Sequence, residues 1–151
     1  MAHPEWFVRD AAGAQRTFTE FFTGHTFLVL DGSHPEARAW LGAEVQRALD
    51  AGVRYLKLDF LFAGAWEGAR AADVTSLEAF HLVLRDLEAR ARAKGAYVVA
   101  CGAPVLPSAG VAHALRTGED IAARGSPYTL AWVKNASRNV ATRWFVAPFL
   151  Q

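Results

Sequence analysis

Two hydrophobic periods take turns along the chain, and their order predicts its architecture. The run "TFLVLD" (residues 26–31) is short, apolar and ends in an acid, as a buried strand does. A helix follows, because Ala37, Trp40, Leu41, Val45, Ala48 and Leu49 recur at helical spacing. Ser33 with Glu36 reads as a capping box, Pro35 falls in the first turn, and Gly52 suits the C′ position. "VRYLKLDFLFAGAW" (53–66) predicts a second strand running into a loop. Thr75 and Glu78 form another capping box, and Leu77, Phe80, Leu84, Leu87 and Ala91 mark a second amphipathic helix ended by Gly95. "AYVVAC" (96–101) is a third strand, and a Gly/Pro-rich stretch then leads to a short element around "HALRTGED". A last helix is expected from near Pro127 to Trp144 or Phe145, carrying Leu130, Val133 and Val140.

Strand, helix, strand, helix, strand is an α/β order, and crossovers of this length join parallel strands with right-handed connections. Residues 1–25 hold aromatics without a clean period and read as an irregular loop region with a short turn of helix; residues 26–151 read as βα units of one domain.

Composition narrows the partners. Of the 151 residues, 52% are apolar and 21% charged, the profile of a globular domain. A formal net charge of +1 offers no electrostatic case for nucleic acid or an anionic membrane. Cys101 is the one cysteine, which excludes an internal disulfide and a multi-thiolate metal site. Neither a signal-peptide pattern nor a membrane-length apolar run is seen, so a cytoplasmic location is expected. The triplet Asn135-Ala136-Ser137 matches a glycosylation acceptor only formally, since it sits in a helical pattern.

The chemistry starts from one contradiction. Within the apolar second strand, Leu56, Leu58 and Phe60 share one face and Tyr55, Lys57 and Asp59 the other. An ion pair on an exposed edge strand would explain Lys57 and Asp59. So would a site: the surrounding run is apolar, and the acid lies near the C-terminal end of its strand, where parallel α/β folds and barrels keep their chemistry. Arg116 and Asp120, four apart beyond the third strand, read as a surface helix pair or as a second charged group over the same strand ends. One ionised and one protonated carboxyl is the combination that general acid chemistry needs.

In these residues the chain resembles the catalytic barrel of the α-galactosidase (melibiase) families of retaining glycoside hydrolases. "YLKLDFLFAGA" followed by "CGAPVLPSAGVAHALRTGEDIA" is similar to their K-x-D strand, cysteine-led strand and R-x-x-x-D element, and "TFLVLDGSHPEARAWL" is similar to the stretch before the K-x-D strand. The resemblance implies that Asp59 is the nucleophile and Asp120 the general acid/base. It implies sugar contacts from Lys57 and Arg116, a pocket floor at Cys101 and Gly102, hydrolysis of terminal α-galactosides or a related sugar, and no metal or organic cofactor. Trp66 can stack on a sugar ring or simply pack. Asp31 can reach the site or cap the helix after it. Cys101 lacks a His/Asn context for a nucleophile, and a buried structural thiol is its more ordinary role. His34 belongs to the cap, His81 is half-buried on its helix, and His113 stands where an acid is expected in bacterial relatives.

A full (β/α)₈ barrel needs roughly 250 residues. The resemblance therefore implies a partial TIM barrel, roughly strands 4 to 6 with their helices, without the first three and last two strands. Two readings follow. The chain is a glycosidase segment that works only if an oligomer or a complementing chain completes the pocket, or it is a non-catalytic remnant that folds and binds without hydrolysing anything.

Overall fold

The computed structural model describes residues 3–20, 23–116, 118 and 129–149. A 3-10 turn over Pro4–Trp6 leads to strands β1 (Thr17–Thr19) and β2 (Thr26–Leu28), helix α1 (Pro35–Asp50) and strand β3 (Tyr55–Leu58). A 3-10 turn at Leu61–Ala65 precedes α2 (Ser76–Ala93), β4 (Tyr97–Cys101), the short α3 (Val105–Ser108) and β5 (Ala114–Arg116). Helix α4 (Thr129–Thr142) and a 3-10 turn at Trp144–Phe149 follow. The triplet at residues 135–137 lies within α4, where the Ser137 hydroxyl donates to the Val133 carbonyl at 2.8 Å.

The fold is mixed α/β around a three-stranded parallel sheet, ordered β3–β4–β5. Its helix-facing side is apolar because alternate strand residues turn that way: Leu56 and Leu58 pack on the cluster of Leu49, Ala91, Ala96 and Val98. Leu58 also reaches the cluster of Phe80, Leu84 and Val111, so α2 closes over the β3–β4 pair. Leu77 stands outside the buried stripe, 48% exposed, one residue into the helix.

Helix α2 starts where the sequence places it. The Thr75 hydroxyl accepts from the Glu78 N–H at 3.2 Å, and the Glu78 carboxylate accepts from the Thr75 N–H at 2.7 Å. Thr75→Ala is expected to lower stability by about 1 kcal/mol, seen as a lower midpoint in urea with an unchanged slope. The helix ends at Lys94, and Gly95 takes φ +64° just beyond.

Two expectations give way to other contacts. The capping box at α1 does not form: His34 is the N-cap without a side-chain cap bond, while the Ser33 hydroxyl donates to Asp31 and accepts from the Ala72 N–H. Strand β2 does not join the parallel sheet. It pairs antiparallel with β1, because Phe18 stacks on Phe27 at 5.2 Å and the hydroxyls of Thr19 and Thr26 meet at 2.9 Å. The N-terminal region is thus less irregular than its sequence implies, since β1 lies within it. Between this hairpin and the helices lies a cavity of about 500 Å³, bordered by Phe27, Val29, Phe60, Phe80 and Leu84. The Tyr55–Lys57–Asp59 face is open, with Tyr55 63% exposed, and β3 is the outer strand of the described sheet, in keeping with the ion pair on an exposed edge strand that the sequence left open. Leu56 and Leu58 cover the helix side, and Asp59 also borders the cavity.

Candidate active site

Parallel register brings the singled-out residues into one row. Leu58 pairs with Ala100, and Cys101 pairs with Arg116, so Asp59, Cys101 and Arg116 stand side by side at the C-terminal ends of three strands. Lys57, two residues before Asp59, shares its face. Its Nζ lies 2.8 Å from Asp59 Oδ2, while the Phe60 N–H donates to Oδ1 at 2.8 Å. Arg116 Nη1 approaches Cys101 Sγ at 3.8 Å.

The electrostatics favour an ionised Asp59. Partial burial pushes its pKa up, but the Cys101 thiol, the Lys57 ammonium and the Phe60 N–H outweigh that and leave it below the ordinary carboxylate value. The Lys57 pKa is raised by its hydrogen bond to Asp59 and by that charge. The Cys101 pKa is also raised: burial comes first, then the hydrogen bond to Asp59 and the nearby negative charge, against opposition from Lys57 and Arg116. A thiol held protonated donates; it does not attack. Cys101 therefore serves Asp59.

Both strands leave the sheet by the same device. Phe60 (φ +55°, ψ +27°) follows Asp59, and Gly102 (φ +58°) follows Cys101. Glycine takes that conformation freely, whereas a phenylalanine there costs on the order of 1–3 kcal/mol. The Phe62 N–H donates to the Gly102 carbonyl at 2.7 Å, which ties the turn after β3 to the end of β4. A Cβ on Gly102 would meet the Phe62 ring at 3.2 Å.

Trp66 lies one ring further out. It is half-buried against Phe18 and Phe62, at centroid distances of 6.2 and 5.6 Å, with the Arg16 guanidinium 6.0 Å from its ring. Asp31 neither reaches the row nor caps α1. It is buried and accepts from the Ser33 N–H and hydroxyl, the Ala71 N–H and Arg70 Nη1. Arg70 Nη2 also donates to the carbonyls of Gly64 and Trp66, so this network fastens the loop that follows Asp59. His113 accepts the Val98 N–H on Nδ1 at 3.1 Å and lies against Tyr97, and His81 Nε2 bonds the Pro107 carbonyl. Asp120 falls outside the described residues. Among the described residues, no three His, Cys, Asp or Glu side chains gather closely enough to hold a metal ion, and no helix is long and apolar enough to cross a membrane.

No protein-family model matches the chain. Solved structures do. Two structures of TtGalA, an α-galactosidase from Thermus thermophilus, are 31% identical to it and superpose with TM-scores of 0.71 and 0.72 over 98% and 99% of its residues. The chain is α-galactosidase-like. Those two structures hold stachyose and p-nitrophenyl α-D-galactopyranoside. The α-galactosidase-like chain spans about a third of their length, 32% and 30%.

Two features of this row and its surroundings escape a reading of the sequence. Nothing in "LDFLF" signals a left-handed Phe60. The Arg70 anchor leaves a faint trace, as the one cation in the loop "AGAWEGARAADV".

Proposed function

We propose that the chain is the middle of a glycosidase barrel that hydrolyses terminal α-galactosides with retention of configuration. In this reading β3, β4 and β5 are barrel strands 4 to 6, and Asp59, Cys101 and Arg116 line the mouth of the barrel. The supporting observation is the row itself: a carboxylate just past the end of a parallel strand, 2.8 Å from a lysine ammonium and beside the Cys101–Arg116 pair, with its pKa held below the ordinary value.

Asp59 attacks the anomeric carbon. Asp120 protonates the departing oxygen and then, as base, activates the water that releases the sugar, which requires two carboxyls about 5–5.5 Å apart. The positive charge of Lys57 keeps Asp59 ionised between turnovers, and Lys57 and Arg116 present donors to sugar hydroxyls. Cys101 and Gly102 form the floor, and Trp66 supplies an apolar wall beside it. The lone free thiol suits a reducing, cytoplasmic setting.

The open Tyr55–Lys57–Asp59 face favours a second reading, in which the chain binds or assembles without hydrolysing and needs an oligomer or a complementing chain to enclose the sugar. Hydrolysis of p-nitrophenyl α-galactoside by the purified chain separates the two. Turnover supports the glycosidase; where the folded chain shows none, turnover gained with a complementing chain still supports a glycosidase segment, and none in either case supports the binding piece. Asp120→Asn is expected to slow the nitrophenyl substrate far less than an unactivated α-galactoside, because nitrophenolate leaves with little acid help. Equal losses on both substrates remove Asp120 from the acid role.

A further inference from the structure

We propose that Phe60 is a positioning residue for Asp59, holding its backbone N–H against Oδ1 by means of a left-handed conformation that turns the chain directly after the carboxylate, just beyond β3. The inference rests on the reading of Asp59 as the nucleophile. Among the described residues Phe60 is the one non-glycine with positive φ. A bulky side chain stays in that region only when its surroundings hold it there.

The surroundings do so on the aromatic side. The Phe60 ring, 41% exposed, lies 5.4 Å from Phe18, 6.5 Å from Phe27 and 6.3 Å from Phe62, so it packs along one side against the β1–β2 hairpin and the following turn. Gly102, itself left-handed, lies beside the Phe60 backbone, where a Cβ would make only ordinary contact, 3.7 Å from Phe60 N and Cα. With the strand ended, the Phe60 N–H leaves the ladder and is taken by Oδ1, while Lys57 holds Oδ2. Each carboxylate oxygen then has its own fixed donor, and the group cannot rotate freely about its last bond. For a nucleophile that must approach one carbon along one line, such fixing is worth large factors in rate.

Two variants isolate the backbone. Phe60→Gly and Phe60→Ala both delete the ring, but only glycine adopts the left-handed conformation without strain. The readout is the titration of the Asp59 carboxyl by carbon NMR in the whole chain, which needs no turnover. Asp59 is expected to titrate as low in Phe60→Gly as in the parent and at higher pH in Phe60→Ala. If the two variants titrate alike, the left-handed backbone is not what holds Asp59, and the proposal is overturned. On nitrophenyl α-galactoside, kcat in Phe60→Ala is expected to fall roughly tenfold or more below that of Phe60→Gly with KM unchanged. A chain that turns over no substrate, alone or with a complementing chain, defeats the glycosidase reading, while the titration still decides the role of Phe60.

Discussion

Asp59→Asn is expected to abolish hydrolysis of α-galactosides, by at least about a thousandfold, while the chain stays folded. An amide is a poor nucleophile, and losing the attacking group of a covalent mechanism costs several orders of magnitude in kcat. The fold should survive because Asp59 lies on the open face, 35% exposed, and its partner Lys57 is 48% exposed. Asn keeps the size of the group and can still accept the Phe60 N–H. The comparison is kcat for p-nitrophenyl α-galactoside beside the far-ultraviolet circular dichroism of both proteins. Parent-like turnover in the variant would take the nucleophile role from Asp59, and loss of dichroism would mean that the carboxylate supports the fold.

Arg70→Ala is expected to act in the opposite sense, on stability first. Arg70 and Asp31 form an ion pair 3.3 Å apart, each with a side chain only 2% exposed. Removing Arg70 leaves the buried Asp31 charge with only its neutral donors from Ser33 and Ala71, and breaking a buried pair costs up to about 3–5 kcal/mol. Against a total stability of about 5–15 kcal/mol that is a large share, and the midpoint of thermal unfolding should fall on the order of 10 °C. A fall of less than about 1 kcal/mol would mean that the neighbouring backbone donors suffice for Asp31.

The same network sets the response to acid. Burial alone would raise the Asp31 pKa, but the donors from Ala71 and Ser33 and the Arg70 charge leave it below the ordinary value. A depressed carboxylate contributes its full stabilisation above its unfolded pKa of about 3.9 and loses it as pH falls through the lower folded value. Acid unfolding of the parent should therefore begin below about pH 4, and Asp31→Asn should flatten that limb.

The elements that local pattern specifies are the ones the sequence makes legible. The Thr75–Glu78 box, the stripe from Phe80 to Ala91 and Gly95 each act within a few residues, and α2 starts and ends accordingly. Lys57 and Asp59 stand out because charge interrupts an apolar run. What stays hidden depends on residues far apart in the chain. Ser33 looks like a cap until Asp31 and Ala72 take its hydroxyl. β2 looks like a partner for β3 until Phe18 and Thr19 pair with it. Facing is hidden too, since alternation says which residues share a side of β3 but not that one side stays open. The kink at Phe60 is hidden most deeply, because a strained backbone is imposed by packing and not by the residue's own preference.

The register of the parallel sheet also orders events in time. β1 and β2 can meet across a short turn, but Tyr55 cannot pair with Tyr97 until all of α2 has been gathered between them, and Cys101 meets Arg116 only after the chain has doubled back again. Closing such long loops is slow relative to forming a hairpin or a helix. The row of Asp59, Cys101 and Arg116 is therefore built from contacts of long sequence separation, and is expected to form no earlier than the hairpin.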